Sequence, residues 1–163
     1  MKMKLMDENG VSLVELMIVI TILMILLTIS SISLLRARDN ANLRSAALEV
    51  EGDITETRTR ALARNRLHRM TFTVNSPNYV IEECTVASQT PCAAYAVIQA
   101  KDLTNFGDAG TFIVNADFGG AAFLLFQMRG TADPGTVVIQ NIRGSQATIT
   151  TNFRARTYVS YAY

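Results

Sequence analysis

Gly10-Val11-Ser12-Leu13-Val14-Glu15-Leu16-Met17-Ile18-Val19-Ile20 opens an apolar run that continues without a charged residue from Leu16 to Leu35. About 20 residues rising about 1.5 Å each give roughly 30 Å of helix, the hydrocarbon thickness of a bilayer. Ahead of the run lie Lys2 and Lys4, then Asp7-Glu8-Asn9-Gly10. A secretory signal peptide places its small-residue cleavage site after its apolar core. Here the one candidate site, Gly10, precedes it. A plain signal anchor explains the length of the run, and Lys2 and Lys4 would hold the start of the chain in the cytoplasm. It does not explain Glu15.

Acidic residues cost about 2.5–3.5 kcal/mol at the centre of a membrane helix, less toward the interface, and those present are usually paired. If the chain is cut after Gly10, Val11 gains an α-amine four residues from Glu15. Amine and carboxylate could then neutralise each other, within one chain or between neighbours. The other reading leaves Glu15 at the headgroup level with no role.

The segment from Gly10 to Ile20 resembles the class III leader and N-terminal helix of type IV pilins and type II secretion pseudopilins. The resemblance implies that a prepilin peptidase cuts between Gly10 and Val11 and that Val11 is N-methylated. It also implies that Glu15 pairs with the N-terminal amine of an adjacent subunit during assembly. Val11 stands where Phe is commonest in the family, and Thr28, Ser30, Ser31 and Ser33 stand where many members carry a helix-breaking Pro. Hydroxyls that bond back to helix carbonyls can bend a helix without breaking it. The implied partners are other pilin or pseudopilin subunits, the peptidase, an inner-membrane assembly platform and membrane lipid. The implied location is the inner membrane, single-pass, with the C-terminal domain periplasmic or extracellular before the subunit enters a pilus or pseudopilus.

Beyond Leu35 the pattern becomes amphipathic, with Leu43, Ala47, Val50, Ile54 and Ala61 at spacings near 3.6. Gly52 need not end such a helix. The turn Asn75-Ser76-Pro77-Asn78 places the helix end near Asn65 to His68. Arg58, Arg60, Arg64, Arg66, His68 and Arg69 gather at that end. Favourable charge at a helix C-terminus with a solvated face is the preferred reading, over a polyanion-binding patch. His68 has no obvious acid–base partner and reads as a surface or cap residue.

From residue 70 the sequence turns to β type. Met70–Val74 and Tyr79–Glu83 read as a hairpin. Ala93–Gln99, Thr111–Asn115, Ala121–Met128, Thr136–Ile142, Ala147–Thr151 and Arg156–Tyr161 follow, punctuated by Gly- and Pro-containing turns. The expected class is α+β: a long N-terminal helix, half transmembrane and half amphipathic, packed against an antiparallel β-sheet. The expected organisation is a cleaved leader over 1–10, an assembly helix over 11–35, its amphipathic continuation over 36–69 and a β-rich domain over 70–163. Cys84 and Cys92 suit a disulfide if the domain lies outside the cytoplasm, and are otherwise two free thiols.

Phe126-Gln127-Met128-Arg129-Gly130-Thr131 followed by Gly135-Thr136-Val137-Val138-Ile139 is similar to the C-terminal half of the GspH/FimT branch of minor subunits. That branch often ends Gly-Arg-x-Arg, and some members are linked to DNA binding there. Here Phe153 replaces the glycine before Arg154-Ala155-Arg156. On an extended segment the two arginines would share one side. They could contact phosphates, but keeping a strand edge soluble is the favoured reading.

The formal net charge of +1 over 163 residues gives no global bias toward nucleic acid. No phosphate loop, HExxH or nucleophile elbow occurs. Glu82 and Glu83 are adjacent in a strand, so their side chains should point to opposite faces. The sequence therefore points to a structural subunit without cofactor or metal. The expected role is a minor pilin or pseudopilin. A major pilin that forms the fibre, a tip subunit that captures DNA and a plain membrane-anchored domain remain open.

Overall fold

Leu13–Arg64 forms one uninterrupted helix, α1, of 52 residues. The computed structural model describes residues 12–86, 90–106 and 110–163, and the side chains of 29–33, 105 and 106 lie outside the described set. Hydroxyls do bond back along α1: Thr21 Oγ1 donates to Met17 O at 2.8 Å and Thr28 Oγ1 to Met24 O at 2.6 Å. The helix stops at Arg64, before the expected Asn65 to His68. Asn65 takes the left-handed conformation at φ 49°, and Arg66 N donates to Ala61 O at 3.3 Å. Such a residue just past the last turn is a common helix terminator. The expected helical continuation to residue 69 is corrected accordingly, because His68 already belongs to the first strand.

The chain divides into two compact units, one ending at Ala37 and the other running Arg38–Tyr163. In the first unit, the described apolar side chains of α1, from Leu13 to Leu27 with Leu34 and Leu35, are all exposed. A helix that is apolar on every side suits a lipid or helix-lined surrounding rather than water.

The second unit holds the rest of α1 and eight strands. They are β1 (His68–Phe72), β2 (Asn78–Cys84), β3 (Tyr95–Asp102), β4 (Thr111–Asp117), β5 (Phe123–Phe126), β6 (Gly135–Asn141), β7 (Gln146–Thr151) and β8 (Thr157–Ala162). All pair antiparallel. The single sheet expected from the sequence is two four-stranded sheets, ordered β3-β2-β1-β5 and β4-β6-β7-β8. Between them and α1 lies one core. Leu43, Ala46, Ala47, Val50, Ile54 and Ala61 from the helix meet Met70, Phe72, Ile81 and Leu124 of one sheet and Ile113, Val137, Ile139 and Ile149 of the other. All five helix positions picked out by periodicity are fully buried.

Polar groups enter this core in matched sets. Asp53, on the buried face of α1, accepts a 2.6 Å hydrogen bond from Tyr79 Oη and lies 3.3 Å from Lys101 Nζ. Lys101 also reaches Glu49 at 2.6 Å. Burial and the Asp53 bond drive the Tyr79 hydroxyl pKa far above its ordinary range, so it stays a donor at any working pH. At the other sheet, Asn40 Oδ1 accepts from Ser145 Oγ at 3.0 Å, and Asp39 pairs with Arg143.

Two glycines respond in opposite directions to an added methyl. At Gly52 a Cβ meets nothing within 4 Å, so Gly52→Ala should raise stability by about 0.5–1 kcal/mol through helix propensity. At Gly135 a Cβ would strike the Asp117 carbonyl and come within 2.7 Å of Phe118 Cα. Gly135→Ala should therefore cost about 1–3 kcal/mol. Chemical denaturation of the two variants checks the opposite signs.

Candidate assembly and polyanion-binding sites

Gly10 and Val11 lie outside the described residues. Glu15 is the acidic residue in the first turn of α1, where a carboxylate faces the unsatisfied N–H groups of a helix start. Its neighbours on both sides are exposed apolar residues: Val14 and Leu16. Among the described residues no stretch of helix is both long and apolar enough to cross a membrane.

Cys84, at the end of β2, is bonded to Cys92 in a disulfide that closes a short loop. No cysteine is free, which settles the choice between bridge and thiols. Among the described residues no group of three or more His, Cys, Asp or Glu could hold a metal ion.

The basic side chains at the end of α1 find acceptors in the same domain, while Arg64 in the last helical turn stays exposed, as charge on a solvated helix C-terminus does. Arg58 Nε donates to Gly130 O at 2.9 Å, and Arg60 pairs with Glu56 at 2.6 Å. Arg64 pairs with Glu83 at 2.7 Å, while Arg66 donates to the Cys84 and Thr85 carbonyls at 3.2 and 3.0 Å. Arg69 forms a two-pronged pair with Glu82, at 2.6 and 3.0 Å, directly across β1 and β2. The Arg69 guanidinium also lies 4.1 Å from the centre of the Tyr95 ring. The hydrogen bond from Arg69 holds the Glu82 carboxyl below its ordinary pKa, and the same bond raises the pKa of Arg69. Glu82 and Glu83 thus serve separate arginines, as opposite-facing side chains require. The sequence shows this cluster of charge and the i,i+4 spacing of Glu56 and Arg60, but the acceptors of Arg64, Arg66 and Arg69 arrive from β2 and the residue after it, which no helical spacing reveals.

His68 is fully buried at the start of β1, not on the surface or in a cap as expected. Its Nδ1 lies 3.1 Å from the Arg66 carbonyl. A carbonyl only accepts, so Nδ1 carries the proton, and Nε2 is a buried lone pair with no donor.

Arg154 and Arg156 are exposed, with no side-chain partner among the described residues. They do not lie on an extended segment. They occupy the turn between β7 and β8, where Ala155 has φ 52° and Asn152 Oδ1 accepts from both the Arg154 and Arg156 amides at 3.0 Å. The expectation of a shared side, which assumed extension, is lost with it. The positive φ falls at Ala155, so Phe153 occupies an ordinary backbone position and leaves its ring exposed.

Burial sets the pH response of His68. Desolvation pushes its pKa down, aided by the charges of Arg64 and Arg60 and opposed by the Arg66 carbonyl and Glu83. The unfolded chain therefore takes up a proton first as pH falls through about 6.5. Stability is full above that value and declines below it until the folded pKa is reached, at no more than about 1.4 kcal/mol per pH unit. Thermal denaturation from pH 7 downward should show this loss, and His68→Leu should flatten it in the window above the carboxylate range.

Residues 5–31 match the prokaryotic N-terminal methylation motif. No curated protein matches the sequence. Among solved structures, the minor pseudopilin EpsH of the type 2 secretion system of Vibrio cholerae is 11% identical with a TM-score of 0.57, over 73% of this chain and 96% of that one. The type IV minor pilin FimU of Pseudomonas aeruginosa is 18% identical with a TM-score of 0.52, over 72% of this chain and 87% of that one. At such identities the likeness establishes the fold. The chain thus carries the N-terminal methylation motif of prepilin-type proteins on a domain with the fold of minor pilins and pseudopilins.

Proposed function

We propose that this chain is a structural, non-catalytic subunit of the GspH/FimT type, a minor pilin or pseudopilin of a type IV pilus or a type II secretion pseudopilus. The observation that carries the reading is the methylation motif over residues 5–31, joined through one helix to a domain of this fold. In this reading residues 1–10 are a leader. Prepilin peptidase cuts between Gly10 and Val11, and Val11 is then methylated. The uncharged run Leu16–Leu35 first anchors the chain in the inner membrane and later packs among neighbouring helices. Both surroundings are apolar, so transfer from one to the other exposes little of the run to water.

Glu15 gives the transfer its direction. In a helix-lined interior its charge is costly unless a cation meets it, and the α-amine created by cleavage supplies one. The disulfide Cys84–Cys92 agrees with an oxidising compartment for the second unit.

Replacing Glu15 with Ala should leave membrane insertion and cleavage intact while reducing recovery of the chain in sheared filaments or pseudopili by tenfold or more, which is about 1.4 kcal/mol of lost pairing or above. Immunoblots of membrane and filament fractions measure both. A Glu15→Ala chain recovered in filaments at the normal level would reduce the segment to a simple anchor. A bulky residue in place of Gly10 should leave the longer precursor in the membrane.

A further inference from the structure

A four-stranded sheet has two edges, and each edge strand offers unpaired N–H and C=O groups to any strand that comes near. Two of the four edges in this domain are bonded by a turn or loop, and a third carries features that disfavour pairing. The edge of β4 is bonded by the β1–β2 turn: Asn75 N donates to Ile113 O at 2.8 Å and Ile113 N to Ser76 O at 3.0 Å. The edge of β5 is covered by the following loop, where Gln127 N donates to Thr131 O at 2.8 Å and Asp133 N to Leu125 O at 3.1 Å. The edge strand β3 shifts register against β2 beside Glu82, and its Lys101 reaches inward to Glu49. A bulge and an inward-pointing charge are both devices that discourage pairing.

β8 has none of these. Thr157-Tyr158-Val159-Ser160-Tyr161-Ala162 contains no charge, no Pro and no register shift against β7. Asn152 N donates to Arg156 O, so Arg156 turns its backbone toward β7. By the alternation of an antiparallel ladder, Tyr158, Ser160 and Ala162 do the same, and Thr157, Val159 and Tyr161 aim their N–H and C=O groups outward. Among the described residues no backbone bond reaches those groups.

A second feature lies beside this edge. Arg44 sits over the Tyr161 ring at 5.8 Å, and Glu51 accepts from Thr157 Oγ1 at 3.0 Å. Leu48 falls between them on the same stripe of α1 and is 53% exposed. Val159 and Tyr161 are only partly buried. An apolar shelf thus runs along the open edge, on the helix side of the sheet. Among the described residues no carboxylate meets the cations at its ends: Arg44 lies over the Tyr161 ring, and Arg154 and Arg156 are exposed at the start of the strand.

We propose that the β8 edge is a docking site for an extended segment of a different polypeptide in the same assembly. The segment adds as an antiparallel strand, sets alternate apolar side chains against Leu48, Val159 and Tyr161, and carries carboxylates toward its ends. The proposal rests on the subunit reading given above. A second copy of this chain does not fit it. Tyr161 lies by Arg44 and Thr157 by Glu51, so β8 runs opposite to α1. Antiparallel pairing of β8 with itself would bring Arg154 and Arg156 of each copy toward Arg44 of the other, with no carboxylate in either strand to meet them.

Single-residue hydrogen exchange on the full chain tests this. In detergent micelles the Thr157, Val159 and Tyr161 amides should exchange fast, and Tyr158 and Ser160 slowly. In filaments or pseudopili recovered from cells the three outward amides should slow by at least tenfold. Val159→Pro removes one outward N–H without touching the β7 ladder and should lower recovery in filaments several-fold, with cleavage unchanged, while Val159→Ala should not. Leu48→Asp, at an exposed helix position, should lower it too. Fast outward amides in assembled material overturn the inference alone. So does protection in micelles that grows with chain concentration, which would mean a second copy. A chain neither cut at Gly10 nor found in filaments overturns the subunit reading, and this partner with it.

Discussion

One stripe of α1, running Leu43, Ala46, Ala47, Val50, Ile54 and Ala61, is fully buried, and the two sheets depend on it. They share no strand ladder, and the backbone bonds that cross between them are local, such as those of Asn75 and Ser76 with Ile113. What joins them along their length is a common apolar interior, in which Met70, Ile81 and Leu124 of one sheet and Ile113, Ile139 and Ile149 of the other close on the same helix face. Burying each large aliphatic side chain contributes about 1.5–3 kcal/mol. The alanines bring little area of their own, but their short side chains let both sheets approach the helix closely.

Apolar burial has no direction and would tolerate a helix rotated or slid by a turn. Direction comes from polar contacts, and each sheet has its own. Asp53 receives Tyr79 and Lys101 and thereby fixes β2 and β3 along α1. Asn40 and Asp39, more than three turns earlier, receive Ser145 and Arg143 and fix the β6–β7 turn. A buried carboxylate left without partners costs several kcal/mol, so a shift of α1 by one turn is penalised most at Asp53, with a smaller loss at the part-buried Asn40 and Asp39 contacts. His68 is an exception to this satisfaction: its orphaned Nε2 is tolerated because a neutral ring nitrogen without a donor costs far less than a buried charge.

The helix face and all eight strands were legible in the sequence, because a period of 3.6 and runs of alternating Val, Ile and Thr report burial directly. Leu43, Ala47, Val50, Ile54 and Ala61 needed no more than that. The misreadings share a cause. His68 reads as a surface or cap residue, and the helix-end arginines give no sign of the acceptors they meet. Burial within the folded domain decides the first, and partners far away in sequence decide the others: Glu83 for Arg64 and Glu82 for Arg69. Local pattern reports which face is buried, not what a polar group meets there. The split into two sheets was hidden for the same reason, since it turns on the crossing of β5 back to β1 rather than on the character of any strand. The processing residues Gly10 and Val11 remain a reading of the sequence motif, which residues 5–31 match.

The two halves of α1 place opposite demands on their surroundings. In the second unit its apolar side chains gather on one stripe and are covered by the sheets of the same unit. In the first, the described apolar side chains point every way and are exposed. Lipid and a bundle of like helices satisfy such a surface about equally, since neither supplies the directional contacts that would tell them apart. Glu15 breaks that equivalence. At a membrane surface its carboxylate can stay hydrated beside the headgroups. Inside a bundle it must find a cation or a cluster of donors, or take up a proton. The nearest potential cation in its own sequence is an amine that exists only if the chain is cut before Val11. In the proposed reading, one acidic residue in a long apolar segment links processing to assembly: the uncut chain suits lipid, and the cut chain gains the charge that a helical bundle requires.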